Sequence, residues 1–246
     1  MRNIKVVLEY EGTAYAGFQV QANANTIQAQ IESALNALTG EEIRIVGSGR
    51  TDSGVHAKGQ VINFHTCSRI PADRFAAALN TRLPRDIRAL ESSEESPQFN
   101  ARFSVKSKTY CYRILNRPAP SALLRNLAYW VPDILDIEAM NRCAQQLVGA
   151  HDFRAFRSTG SDVESTVRTV TACTVEADSE QQTVDIRVCA DGFLYNMVRI
   201  IAGTLIEIGK GRLPEDTILK MLESGERNLG GPTAPARGLY LEHVVY

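Results

Sequence analysis

Two spacings of apolar residues alternate along the chain, and the alternation occurs twice. Residues 3–9 are apolar and β-branched and run into Glu9-Tyr10-Glu11-Gly12, which predicts a strand ending in a turn. A polar loop with Gly12, Gly17 and several Asn follows. Thr26 is then placed as an N-cap, Ile27, Ile31, Ala34, Leu35 and Leu38 fall at helical spacing, and Gly40 closes the helix. Residues 43–46 and 60–65 read as strands, 71–81 as a helix and 87–90 as a short strand. The second half repeats the pattern. A strand over 109–116 puts Tyr110, Tyr112 and Ile114 on one face by period two. A helix over 136–149 puts Ile137, Met140, Ala144, Leu147 and Val148 on one side. Strands at 166–175 and 183–190 flank a turn at 178–182. An apolar helix over 193–208 precedes Gly209 and Gly211, and a last strand covers 239–245.

Short links between such elements predict an α+β chain. The expected form is two related ferredoxin-like halves, a largely antiparallel central sheet flanked by helices. The boundary falls in the acid-poor stretch near residues 96–108, giving an N-terminal half over 1–103 and a C-terminal half over 104–246. A length of 246 residues with 44% hydrophobic content is enough for a sizeable core. No segment approaches the ~20 apolar residues that span a bilayer, and the N-terminus lacks the apolar run of a signal peptide. The expected location is cytoplasmic.

The five cysteines are Cys67, Cys111, Cys143, Cys173 and Cys189. They form no C-x-x-C pair, and an odd number argues against a disulfide framework. The four histidines, His56, His65, His151 and His243, show no ligand spacing, so no metal site is read. Net charge is −1, which does not by itself suggest nucleic acid. However, 21 of the 27 basic residues are Arg, the better bidentate phosphate ligand. Residues 96–132 contain no acid but carry Arg102, Lys106, Lys108, Arg113, Arg117 and Arg125. This reads either as a basic surface for a polyanion or as a solvated strand face.

The chemistry centres on Gly47-Ser48-Gly49-Arg50-Thr51-Asp52-Ser53-Gly54-Val55-His56-Ala57. Three glycines after a strand make a tight loop. It is neither a dinucleotide fingerprint nor a Walker loop, because Asp52 stands at the last fingerprint position and no Lys-Ser/Thr pair follows. The loop instead presents a carboxylate with Arg50 two positions before it, on the same side if the segment is extended. A nearby cation favours the ionised form. Such a carboxylate suits a nucleophile, a base or a stabiliser of cationic charge, although Asp and Ser also serve as plain turn residues. Asp52-Ser53-Gly54 fits the aspartic peptidase triplet as well. That chemistry needs two facing carboxylates that share a proton. The chain has one triplet; a homodimer would have to supply the second, and Arg50 opposes a shared proton. A glycosidase or phosphatase lacks a second acid at fixed spacing.

Residues 49–57 closely resemble the catalytic motif of the bacterial tRNA pseudouridine synthase A family. The resemblance runs through Tyr10-Glu11-Gly12, Tyr15-Ala16-Gly17-Phe18-Gln19, Phe99-Asn100-Ala101-Arg102-Phe103-Ser104, Lys108-Thr109-Tyr110-Cys111-Tyr112, Phe193-Leu194-Tyr195-Asn196-Met197-Val198-Arg199 and Gly238-Leu239-Tyr240-Leu241. Ser53 stands where Ala is usual and Phe18 where Trp is usual; neither replaces a reacting group. The resemblance implies a cofactor-independent enzyme that isomerises uridine at positions 38, 39 and 40 of the tRNA anticodon arm, working as a homodimer. Asp52 is implied as the nucleophile, Arg199 as the cation that orients it, and Tyr110 as the residue on the target base. Arg50 is expected to help hold RNA around a flipped nucleotide, and Leu239 to support the site. A non-catalytic RNA-binding module is the alternative; it would not need Asp52.

Overall fold

The computed structural model describes residues 1–160 and 164–246. The chain divides into two compact units, residues 1–106 with 241–246, and residues 107–240. The first holds β1 (Arg2–Tyr10), α1 (Ile27–Thr39), β2 (Val46–Gly47), β3 (His56–Thr66), α2 (Phe75–Asn80) and β4 (Ile87–Glu95). The second holds β5 (Ser107–Leu115), β6 (Tyr129–Trp130), α3 (Ile137–Gln145), β7 (Gly149–Asp152), β8 (Val167–Asp178), β9 (Thr183–Ala190), α4 (Met197–Gly209) and α5 (Thr217–Ser224). The final strand, β10 (Leu239–Val245), begins in the second unit and ends in the first. The fold is mixed α+β and mostly antiparallel, as the alternating periods predict.

In the first unit β1 lies between β3 and β4, antiparallel to both, with Val6 opposite Ile62 and Ser92. β2 adds a two-residue antiparallel pair to β3, with Val46 opposite Asn63. α1 forms because its ends are specified. The Thr26 hydroxyl accepts from the Ala29 amide, and Gly40 takes a left-handed conformation with φ 71. Its face of Ile27, Ile31, Ala34 and Leu35 is buried. Phe64 of β3 and Phe75 of α2 meet edge to face at 5.5 Å. Each fully buried large apolar side chain of this kind contributes about 1.5–3 kcal/mol.

In the second unit the strand order is β5-β9-β8-β7, antiparallel throughout, and β6 pairs β5 in parallel. Tyr112 is fully buried, and its hydroxyl donates to the Pro235 carbonyl at 2.8 Å. Asp136 caps α3 by accepting from the Ala139 amide at 2.9 Å. α4 is apolar on nearly every side and is buried over most of its length.

Several boundaries differ from the sequence expectation, each for a local reason. The segment 43–46 pairs only at Val46, because the Ile45 amide upstream donates to the Glu32 carboxylate of α1 rather than to a strand. The helix expected over 71–81 is a short 3-10 turn over Ala72–Arg74 followed by α2. β4 and β8 extend beyond 90 and 175, because β1 and β9 pair with their polar ends. α3 stops at Gln145, and Gly149, with φ 125, starts β7. α4 starts at Met197 because Asn196 is left-handed, with φ 63. β6, β7 and α5 were not anticipated.

Cys111, Cys143 and Cys173 are buried and Cys67 is exposed. Burial pushes the Cys173 thiol up to about 12. An aromatic disulfide reagent should therefore modify exposed Cys67 and half-buried Cys189 in the native protein, and Cys67→Ser should remove the faster of the two reactions. Cys173 should react only after unfolding; fast native labelling of Cys173 would contradict this core.

Candidate active site

Asp52 sits in a loop that is fixed from below and from one side. Its carbonyl accepts from the Val55 amide at 3.1 Å, closing a four-residue turn. Gly54 is the third residue, with φ 78, a value that L side chains rarely adopt. Beneath the turn, the Tyr10 and Thr51 hydroxyls meet at 2.8 Å in a buried contact. Burial raises the Tyr10 phenol pKa above its usual value, against the opposing effect of its Thr51 and Gln60 hydrogen bonds, so it stays neutral. The start of the loop is held by Gln60. Ser48 Oγ lies 2.5 Å from Gln60 Oε1, and Gln60 Nε2 donates to the Gly49 carbonyl at 2.9 Å.

The side support is the segment following β1. The Gly12 amide donates to His56 Nδ1 at 3.0 Å, and His56 is 1% exposed. A backbone amide can only donate, so Nδ1 is unprotonated and the proton of a neutral ring lies on Nε2. This approach needs glycine: a Cβ on Gly12 would lie 1.9 Å from the Val55 carbonyl oxygen, and one on Gly17 2.8 Å from that of Thr51. The Phe18 amide donates to the Thr51 carbonyl at 3.0 Å. The Phe18 ring is buried against Gly47, where a Cβ would come within 2.6 Å of it. The Ser53 hydroxyl donates to the Tyr15 carbonyl at 3.1 Å. Asp52 itself is half-buried and Arg50 is exposed. Residues 50–52 belong to no strand.

In the second unit Tyr110 is on β5, opposite Val188 of β9. Its ring is 8% exposed and meets Phe193 edge to face at 5.0 Å. Arg199 lies in the first turn of α4 and is half-buried. Its Nε donates to the Ala234 carbonyl at 2.8 Å and its Nη1 to Asn196 Oδ1 at 2.7 Å. Asn196 Nδ2 in turn donates to Ser158 Oγ at 3.0 Å. The Ala234 carbonyl reaches Arg199 because its segment lies directly on α4. A Cβ on Gly203 would meet the Pro232 carbonyl at 1.8 Å, and the Gly231 amide donates to Thr204 Oγ1 at 3.0 Å. The guanidinium is thus aimed by a carbonyl and an amide oxygen. Leu239 is buried at the start of β10.

The motifs name Asp52, Tyr110 and Arg199 but not these supports. His56, Tyr10 and Gly12 lay within the quoted motifs, yet nothing in their spacing announced that they bond one another. The acid-free stretch was also overcounted as a phosphate surface. Arg113 forks onto Asp185 at 2.8 and 2.7 Å, and Arg187 joins the same carboxylate at 2.9 Å. Among the described residues no group of three or more His, Cys, Asp or Glu side chains is placed to hold a metal ion. Among those residues no helix is long and apolar enough to cross a membrane.

A family model described as tRNA pseudouridine synthase matches residues 6–104 and 143–246. The chain is 51% identical over 246 residues to tRNA pseudouridine synthase A of Acetivibrio thermocellus, covering all of both chains. It is 48% identical to tRNA pseudouridine synthase A 2 of Clostridium perfringens and 47% identical to tRNA pseudouridine synthase A of Caldicellulosiruptor bescii, again over the full length of each. These matches place the chain among RNA-modifying isomerases. The chain belongs to the tRNA pseudouridine synthase A family.

The imidazole contact gives a sharp test. Asn places Oδ1 close to where His places Nδ1, whereas Gln reaches toward the Nε2 position. His56→Asn should keep turnover and thermal stability close to those of the parent. His56→Gln should leave the buried Gly12 amide unpaired, at about 1–3 kcal/mol, with a matching fall in melting temperature and rate. Equal behaviour of the two variants would show that this hydrogen bond does not hold the loop.

Proposed function

We propose that this chain isomerises uridine to pseudouridine at positions 38, 39 and 40 of the tRNA anticodon arm, with Asp52 as the nucleophile. The observation that carries the reading is the clamped turn: an aspartate held at a glycine-shaped corner by His56–Gly12 and Tyr10–Thr51 contacts, within the motif shared with the family. In the reaction the N1–C1′ bond breaks, the base turns, and a C5–C1′ bond forms. C5 loses a proton and N1 gains one, so atoms and electrons balance without a redox partner. No cofactor enters the proposed reaction. The carboxylate acts covalently, at C6 of the base or at C1′, and either route needs it ionised and at close range.

Arg199 is assigned as the cation that keeps the carboxylate charged and directed. Support comes from its fixed geometry, since two of its nitrogens already bond the Ala234 carbonyl and the Asn196 side chain. Tyr110 is assigned to the target base, its ring as a stacking surface and its hydroxyl as a relay for the C5 proton. Arg50, exposed on the loop, is assigned to the RNA around the flipped nucleotide. Leu239 supports the site from the start of β10. Exposed basic residues such as Arg102 and Arg125 position phosphates without reading sequence. The working unit is proposed as a cytoplasmic homodimer. Both halves are proposed as variants of one ferredoxin-like unit, supported by the order β1-α1-β2-β3-α2-β4 with β1 between β3 and β4.

The test is incubation with unmodified tRNA transcript, with pseudouridine mapped by position. The expected result is product at 38, 39 and 40, none with Asp52→Asn, and tRNA affinity of that variant within about twofold of the parent. Near-parental turnover by Asp52→Asn would refute the nucleophile. Absent product with intact binding in the parent protein would favour a binding module.

A further inference from the structure

The sequence motif at residues 99–104 has no role in the chemistry above, yet the structure builds it with unusual care. Asn100 Oδ1 accepts from the amides of Arg102 at 2.9 Å and Phe103 at 3.2 Å, and the Ser104 amide closes back on the Asn100 carbonyl at 2.9 Å. The turn is anchored to two strands by buried amide side chains. Asn63 Oδ1 of β3 accepts from the Ala101 amide at 2.8 Å, and Asn3 Nδ2 of β1 donates to the Phe99 carbonyl at 2.9 Å. Asn3 and Asn63 also bond each other at 2.8 Å, and both are almost wholly buried. Tyr246 finishes the support, with its hydroxyl donating to the Ala101 carbonyl at 2.8 Å and its ring 4.9 Å from that of Phe99.

This rigid base carries Phe103 outward. Its side chain is 78% exposed, while Ala101, two residues earlier, is completely buried. The Arg102 guanidinium carbon lies 5.4 Å from the Phe103 ring centroid. An exposed ring on a loose loop moves with its backbone; the backbone that carries Phe103 is held by the hydrogen bonds at residues 99–104. The surrounding sequence from 96 to 132 lacks any acid, and Lys106 follows closely. A cation-backed aromatic face beside basic residues fits a nucleobase attached to phosphate.

We propose that Phe103, backed by Arg102, is a stacking platform for an unpaired base of the substrate tRNA, distinct from the base being isomerised. The proposal rests on tRNA binding to this face of the chain, as in the reading above, but not on the identity of the nucleophile. The measurement uses full-length protein carrying Asp52→Asn, so that affinity for unmodified tRNA transcript is read without turnover. Adding Phe103→Ala should raise Kd about five- to a hundredfold, with an unchanged melting temperature. Phe103→Trp should restore Kd to within about twofold of the Asp52→Asn background. Trp130 is the chain's single tryptophan, so adding Phe103→Trp and Trp130→Phe to that background leaves one indole, whose fluorescence should be quenched as tRNA saturates the protein. Phe103→Ala binding within twofold of the background, or weakened self-association with tRNA affinity unchanged, would overturn the platform. Turnover by Asp52→Asn alone would refute the nucleophile and leave the binding comparison intact.

Discussion

Everything proposed for the reaction depends on the closeness of two backbone segments in the first unit. The chain after β1 lies against the turn at 52–55 so tightly that a single added carbon on Gly12 would sit 1.9 Å from the Val55 oxygen. The His56 imidazole and the Tyr10 hydroxyl convert that proximity into directed bonds. A carboxylate on an ordinary surface turn samples several rotamers, and its mean position is of little use for covalent chemistry. Here the backbone beneath it has few alternatives, because every displacement breaks a buried hydrogen bond or creates a clash.

The second unit fixes Arg199 by similar means. Gly203 and Gly231 let a loop settle directly onto α4, and the resulting Ala234 carbonyl grips Arg199. Asn196 serves twice, taking the left-handed conformation that starts α4 and accepting from the guanidinium. An arginine fixed at both Nε and Nη1 has fewer rotamers to lose when it meets an anion. Burial of a charge among Met197, Ile200 and Ile201 would otherwise be unfavourable; the bonds to oxygen offset that desolvation.

Much of this was legible in the sequence where the signal is local. Thr26 and Gly40 marked the ends of α1, and the glycine-rich loop marked the carboxylate, because caps and turns are properties of a few adjacent residues. What stayed hidden joins distant residues. His56 and Gly12 are 44 positions apart, and Arg113 and Asp185 are 72. The second pair makes the basic stretch after residue 96 less cationic toward RNA than its composition implied. Asn196 hid for another reason: the left-handed conformation interrupts an apolar run whose spacing reads as continuous helix from 193. Phe103 was visible as part of a motif, but its exposure was not, since an apolar residue is ordinarily assumed to face inward.

The central claim is that position, and not charge alone, makes Asp52 reactive. Asp52→Glu keeps the charge and moves the carboxylate outward by one methylene. Its single-turnover rate can be followed as tritium released from tRNA labelled at uridine C5, because that hydrogen leaves when the new bond forms. A fall of about a hundredfold or more, with tRNA affinity preserved, is the result this account predicts. A rate close to that of the parent would show that the clamped geometry is not what the reaction requires.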